Sequence, residues 1–352
     1  MDKRYNIHGL VGVRVNSVSK HISDGCAHYL RHFENGLQEI SDLEIEDFEK
    51  FPPPKHNPYQ EDFTKTERGI CFTKEKYAIS MEKGRMREYT TYANHATNFW
   101  IQTILIKKGF SFVHGAGVEL NGRGIIFPAL GGTGKTTLIS ALRDKSDFKF
   151  FGDDYVIIGT GGEMYSYPSD FSIYPFHIPL FNELENSQAA GYLRRRTIFA
   201  WYYKAKRIMN FIAKRIFRSY GPVFKGWNAA YAKVPVKELI PSEKIGQKTT
   251  LAASVFLERY EGKEMVFERM EAGILVDKIM GILNLESGDG MRYISAIAST
   301  GGFDIADFFS LQKKILLGAF SKLALYRLRI PVDISNDEYR AYLKENIANA
   351  IA

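Results

Sequence analysis

Apolar positions along the chain fall into short runs that alternate with helical stripes. Residues 5–18 (YNIHGLVGVRVNSV) alternate in part and carry β-branched residues, which predicts a strand. Short β-like runs recur at Gly69–Thr73 and Lys76–Met81, so residues 1–92 read as a small β-rich N-terminal domain. The proline-rich Pro52–Pro54 marks an extended connection inside it. Ala93–Lys107 then reads as a helix, with Ala96, Trp100, Thr103 and Ile104 at helical spacing, and opens a second domain, residues 93–352. There the pattern predicts strands at Phe110–Val113, Gly124–Pro128 and Phe148–Phe151, a helix at Thr136–Arg143, and a hairpin of Tyr155–Gly159 with Glu163–Tyr167. Farther on, Leu251–Glu258, Lys263–Arg269 and Leu328–Val332 read as strands. Ala272–Leu285, Asp304–Tyr326 and Asn336–Ala352 read as helices. Interleaved strands and helices of this kind predict an α/β fold.

Charge changes the picture in one place. The net charge is +7, yet no acidic residue lies between Glu185 and Glu238, while twelve basic ones do. Subtracting those twelve leaves −5 for the remainder, so an anionic partner would meet this block, a helical insertion at 186–240. Within it, Tyr192–Tyr220 carries Ile198, Tyr202, Ala205, Met209, Ile212 and Ile216 on one stripe. Lys204, Arg207, Lys214 and Arg218 line the other side. Two readings stand open: a helix on an anionic membrane surface, at ~1 kcal/mol per cation, or one packed on the core with a solvated basic face. Nucleic acid is the weaker third, because no recognised nucleic-acid module accompanies the charge.

At 45% hydrophobic and 25% charged residues the composition is that of a globular protein. Only two cysteines, Cys26 and Cys71, are present, which gives no disulfide framework and fits a reducing compartment. The N-terminus lacks the apolar core of a signal peptide, and no apolar run nears the ~18–20 residues that span a bilayer. The expectation is a cytoplasmic protein, soluble or peripheral on the inner face of the membrane. His28 and His32, spaced i,i+4 near His21 and Cys26, invite a metal reading. The nearest carboxylates, Asp24 and Glu34, stand at no recognised ligand spacing, which favours an ordinary helix.

The strongest chemistry lies in Ala129-Leu-Gly-Gly-Thr-Gly-Lys-Thr136, between the strand Gly124–Pro128 and the helix that follows. Glycines let backbone N–H groups turn onto phosphate oxygens, and the helix N-terminus adds its positive dipole end. The predicted nucleotide contacts are Gly131, Gly132, Thr133, Gly134, Lys135, Thr136 and Thr137. In this reading Lys135 reaches the β- and γ-phosphates and the Thr136 hydroxyl serves Mg²⁺. Ala129 stands where the common form has Gly. Seventeen residues separate Lys135 from Asp153-Asp154, at the end of a strand, where one carboxylate can orient Mg²⁺ and the other accept a proton. His114 ends the run Phe110–Val113 and can approach the same sheet edge. Asp170 and His177 stand in a loop-like context; His177, among aromatics and prolines, reads more readily as a packed histidine than as part of an acceptor site.

The run Val113-His114-Gly115, the turn Asn121-Gly122, the loop Ala129–Thr136 and the pair Asp153-Asp154 together resemble the HPr kinase/phosphorylase-like P-loop kinases, related in fold to phosphoenolpyruvate carboxykinase. The close match covers about fifty of 352 residues, with weaker likeness through Tyr155–Tyr167 and Leu251–Met270. The resemblance implies a P-loop kinase core, Asp153 as general base, Asp154 and Thr136 as servants of the Mg²⁺, and His114 beside the base. The N-terminal hundred residues and the segment 186–237 depart from the founding enzymes, so HPr itself is not implied as substrate. The expected activity is transfer of the γ-phosphoryl group of ATP to a hydroxyl, on a protein or peptide serine. A sugar hydroxyl on a membrane-associated or lipid-linked glycan is the alternative acceptor. A nucleotide-controlled, non-catalytic binding module is the alternative class. A reverse, phosphate-releasing activity and a homo-oligomeric state stay open.

Overall fold

The computed structural model describes residues 2–34, 41–52, 62–82, 84–92, 95–185, 187–193 and 231–347. The chain divides into two compact units, one of Met1–Ser169 with Glu243–Ala352 and one of Asp170–Ser242.

The first unit opens with a seven-stranded sheet built from β1 (Asp2–Ile7), β2 (Val11–Asn16), β3 (Leu43–Asp47), β4 (Thr64–Lys65), β5 (Ile70–Phe72), β6 (Tyr77–Glu82) and β7 (Arg85–Thr90), in the order β1-β2-β3-β7-β6-β5-β4. The run 5–18, expected as one strand, is two. His8 and Gly9 both take positive φ, 52° and 73°, which turns the chain back and pairs Ile7 with Val11. Helix α1 (Lys20–Leu30) buries Ile22, Cys26 and Leu30, one face at helical spacing. Helix α2 (His95–Lys107) carries the fully buried Trp100, whose indole Nε1 donates to the Tyr77 hydroxyl at 2.5 Å.

Beyond α2, the strands β8 (Phe110–Leu120), β9 (Arg123–Pro128), β10 (Lys149–Gly152), β11 (Tyr155–Gly159) and β12 (Glu163–Tyr165) build the second sheet with strands from the end of the chain. The long strand β8 changes partners midway: Phe110–His114 pairs with β11, and Gly115–Leu120 pairs with β9, with β10 on its other side. Gly115 stands at that changeover, where a Cβ would lie 2.6 Å from the Phe127 carbonyl oxygen, so no larger residue fits. Asn121 and Gly122, at φ of 51° and 70°, make the tight hairpin turn that the sequence signalled. Helix α3 (Lys135–Leu142) follows β9.

The second unit contains a two-stranded ladder of β13 (Phe171–Ile173) with β14 (Ala232–Val234) and the short helix α4 (Val236–Leu239). Of the predicted basic helix Tyr192–Tyr220, only Tyr192 and Leu193 are among the described residues; the remainder lies outside them.

In the closing part of the first unit, β15 (Lys248–Tyr260) runs parallel to both β9 and β17 (Ala324–Pro331), and β16 (Val266–Arg269) pairs antiparallel with β17. Helices α5 (Ala272–Glu286), α6 (Asp289–Ser299) and α7 (Ile305–Phe320) come between, and α8 (Asn336–Tyr342) ends the series. The predicted helix Asp304–Tyr326 therefore overruns. It stops at Phe320, and Ala324–Tyr326 is strand, because its ladder to Ala253–Val255 continues the central sheet. The whole is a mixed α/β fold in which the N-terminal sheet, α2 and the second sheet share one apolar core. Among the described residues no helix is long and apolar enough to cross a membrane.

Candidate functional site

Strand β9 ends at Pro128, and its exit is fastened to β8 twice. Ala129 N–H donates to the His114 carbonyl at 3.2 Å, and His114 Nδ1 lies 2.8 Å from the Ala129 carbonyl oxygen. A carbonyl only accepts, so Nδ1 carries the proton and Nε2 keeps its lone pair. From there the chain swings through Leu130 to Gly132 (φ 78°) and Gly134 (φ 108°), with Thr133 Oγ1 donating across the turn to the Leu130 carbonyl at 2.8 Å. Positive φ at both glycines is what turns the backbone back toward the start of α3. Gly134, as the N-cap, has no side chain of its own to bond the first N–H groups of that helix.

Lys135 to Leu142 are all buried, an unusual state for a helix that begins Lys-Thr-Thr. Lys135 Nζ folds back to the carbonyls of Ala129 (3.2 Å) and Leu130 (3.4 Å), which holds a cation inside the loop's curve. The Thr136 hydroxyl donates to Asp153 Oδ2 at 3.0 Å. Asp153 is itself buried and follows β10, whose register against β8 shifts between Phe150 and Gly152. That irregularity re-aims the chain at the acid pair. At Gly152 a Cβ would fall 2.2 Å from the Tyr155 carbonyl oxygen, so the tight corner demands glycine. Asp154 is more exposed than Asp153; its carbonyl accepts from Gly115 N–H (3.1 Å) and its Oδ2 from Ser169 Oγ (3.4 Å).

His114 stands opposite Tyr155 in the β8–β11 register, its ring edge-on to the phenol at 5.5 Å. Burial, with the Lys135 cation adding to it, pushes the imidazole pKa down to about 4 against the opposing pull of Asp154. At neutral pH it is an uncharged imidazole. The arrangement thus gathers a curved run of backbone amides, one buried cation, a hydroxyl, two carboxylates and a neutral imidazole at the junction of β8, β9 and β10.

No family model matches the chain, and no curated protein matches it. What speaks for chemistry here is therefore the geometry.

His114, Lys135, Thr136, Asp153, Asp154 and the loop glycines come together in the first unit. In the second, His177 is packed between Tyr174 and Phe176, its Nδ1 accepting from Tyr174 N–H at 3.3 Å, and burial holds its pKa down to about 4. Asp170 is buried in the same unit. In the N-terminal sheet's helix, Cys26 faces the core, where burial pushes its thiol pKa up. Among the described residues no group of three or more His, Cys, Asp or Glu side chains is placed to hold a metal ion.

One part of the site was missed by sequence reasoning. Helix α8 packs on α3, with Asn336 Oδ1 3.5 Å from Thr137 Oγ1 and the Tyr339 ring where a Gly134 Cβ would lie, 2.7 Å from Cε1. The capping signature Ser335-x-x-Glu338 marks the start of this helix, but nothing local says what it packs on.

Proposed function

We propose that the chain is a P-loop kinase that transfers the γ-phosphoryl group of ATP to a hydroxyl acceptor. The observation that carries this reading is the Thr136–Asp153 hydrogen bond, which ties the glycine loop to the acid pair across seventeen residues. A glycine turn with no partner chemistry would not need it. Such a pair of hard oxygen donors suits Mg²⁺, which needs few protein ligands because phosphate oxygens and water complete its octahedron. When bound, the ion would neutralise charge on the β- and γ-phosphates, held by Thr136 with a carboxylate of the acid pair.

In this reading the loop amides and Lys135 hold the triphosphate, and the acid pair divides two tasks. The family resemblance gives the metal to Asp154 and the acceptor proton to Asp153. The bond from Thr136 favours the opposite division, with Asp153 beside the metal and the more exposed Asp154 taking the proton. His114, neutral and fixed by Ala129, orients the end of β8 against Asp154, whose carbonyl holds Gly115. The acceptor is read as a serine hydroxyl of a protein or peptide, with a glycan hydroxyl as the alternative.

The test is incubation of the protein with γ-labelled ATP, Mg²⁺ and a cell lysate split into protein, small-molecule and lipid fractions. Label entering one fraction with the unmutated chain, and lost with Asp153→Asn and with Lys135→Ala, supports the kinase and names the acceptor class. Tight ATP binding with no transfer to any fraction would move the reading to a nucleotide-controlled binding module.

A further inference from the structure

Helix α8 begins with a reciprocal cap: Glu338 N–H donates to Ser335 Oγ at 3.2 Å, and Ser335 N–H to Glu338 Oε2 at 3.1 Å. That fixes its first turn and hence which face looks where. At roughly 100° per residue, Asn336, Tyr339 and Arg340 share one arc of about 100°. Asn336 beside Thr137 and Tyr339 over Gly134 identify this arc as the one turned to the first turn of α3 and its glycine cap, where the loop ends. Arg340 lies on it.

Among the described residues Arg340 holds no carboxylate. Arg14, Arg87, Arg292 and Arg327 each hold a carboxylate. Arg340 is half-buried, and its Nε is shut off from solvent and has no hydrogen-bond partner among the described residues. The Tyr339 hydroxyl on the same arc is buried and equally without one among them. A guanidinium does not shed its charge, so it cannot escape the cost of burial by neutralising as a lysine can. A guanidinium nitrogen shut off from water without an acceptor carries a free-energy cost, which an arriving anion would relieve.

We infer that Arg340 is a second cation for the polyphosphate of the bound nucleotide, brought to the loop by the C-terminal helix. The inference rests on the nucleotide reading of the loop. Lys135 holds the anion from inside the turn, and the planar guanidinium adds a forked pair of donors from α8.

The experiment uses the full chain and three variants, Arg340→Met, Arg340→Lys and Lys135→Ala. Binding of ATP, ADP and AMP is measured at equilibrium, together with the ligand-free Tm. The expected result is a loss of about 10- to 100-fold in ATP affinity for Arg340→Met, the range for a hydrogen-bonded charge. AMP affinity should change far less, Arg340→Lys should recover part, and the ligand-free Tm of Arg340→Met should be unchanged or higher. Unchanged ATP affinity in Arg340→Met, beside a clear loss in Lys135→Ala, overturns the inference alone. A lowered ligand-free Tm also overturns it, since the guanidinium would then have a partner in the free chain. If the unmutated chain binds no nucleotide, the reading of the loop falls, and the role of Arg340 with it.

Discussion

Glu88 gives the sharpest energetic prediction. It sits on a central strand of the N-terminal sheet, opposite Ile45 on β3 and Ile79 on β6, and is fully buried. Thr97 Oγ1, on α2, donates to its Oε2 at 2.8 Å, while Oε1 has no hydrogen-bond partner among the described residues. Burial dominates: it pushes the carboxyl pKa up to about 7 from 4.5, against the opposing help of Thr97 and Tyr77. Below pH 4.5 both folded and unfolded states hold the proton, and the site costs nothing. Between 4.5 and 7 the unfolded chain releases it while the folded chain keeps it, so stability falls as pH rises. Above 7 the loss is complete, and a 2.5-unit difference corresponds to about 3 kcal/mol. Glu88→Gln mimics the protonated form and removes that slope. Urea unfolding of both chains at pH 5, 6, 7 and 8 should show the variant gaining on the parent, from under about 1 kcal/mol at pH 5 to about 3 kcal/mol at pH 8. A difference that stays constant over that range would mean the carboxyl does not titrate there, and the argument from burial would be wrong.

The other predictions concern the site itself. Gly134→Ala combines a φ of 108° with a Cβ 2.7 Å from the Tyr339 ring; strain and overpacking should cost about 2–4 kcal/mol in urea unfolding and abolish nucleotide binding, with Tyr339→Leu in the same chain recovering part. Lys135→Ala should fold but lose transfer by about 10²- to 10⁴-fold, read in the label assay. Asp153→Asn and Asp154→Asn separate the two tasks: the metal-side variant should need more Mg²⁺ for half-maximal transfer, and the base variant should stay slow in transfer at saturating Mg²⁺. Burial and the Lys135 cation lower the His114 pKa from 6.5 to about 4, so its contribution is present above pH 6.5 and lost as pH falls through 4. His114→Gln should flatten the stability profile in that window.

What could be read from the sequence was local. The strand Gly124–Pro128, the glycine loop, the helix behind it and the Asn121-Gly122 turn lie within thirty residues, and each has backbone chemistry that its own residues declare. The acid pair was readable for the same reason: a strand end followed by two carboxylates. Two other errors were also local conflicts. His8-Gly9 sits inside a β-branched run that masks a turn, and the apolar stripe of α7 runs on into β17, whose strand character comes from its neighbour β15 and not from itself. Periodicity has no information about which strand lies alongside.

The C-terminal helix shows where that limit falls. Ser335 and Glu338 announce its first turn, yet its contact with Gly134 spans about two hundred residues of chain. No local pattern encodes such a contact. Its trace in the sequence is indirect: Gly134 must be glycine for its own φ of 108°, which conceals that the space a side chain would fill belongs to Tyr339. A glycine required for two independent reasons looks the same as one required for the first alone. The two reasons separate only in the double variant, because Tyr339→Leu can relieve the clash in Gly134→Ala but not the backbone strain. The part of the loss that it restores measures how firmly the end of the chain is seated on the loop.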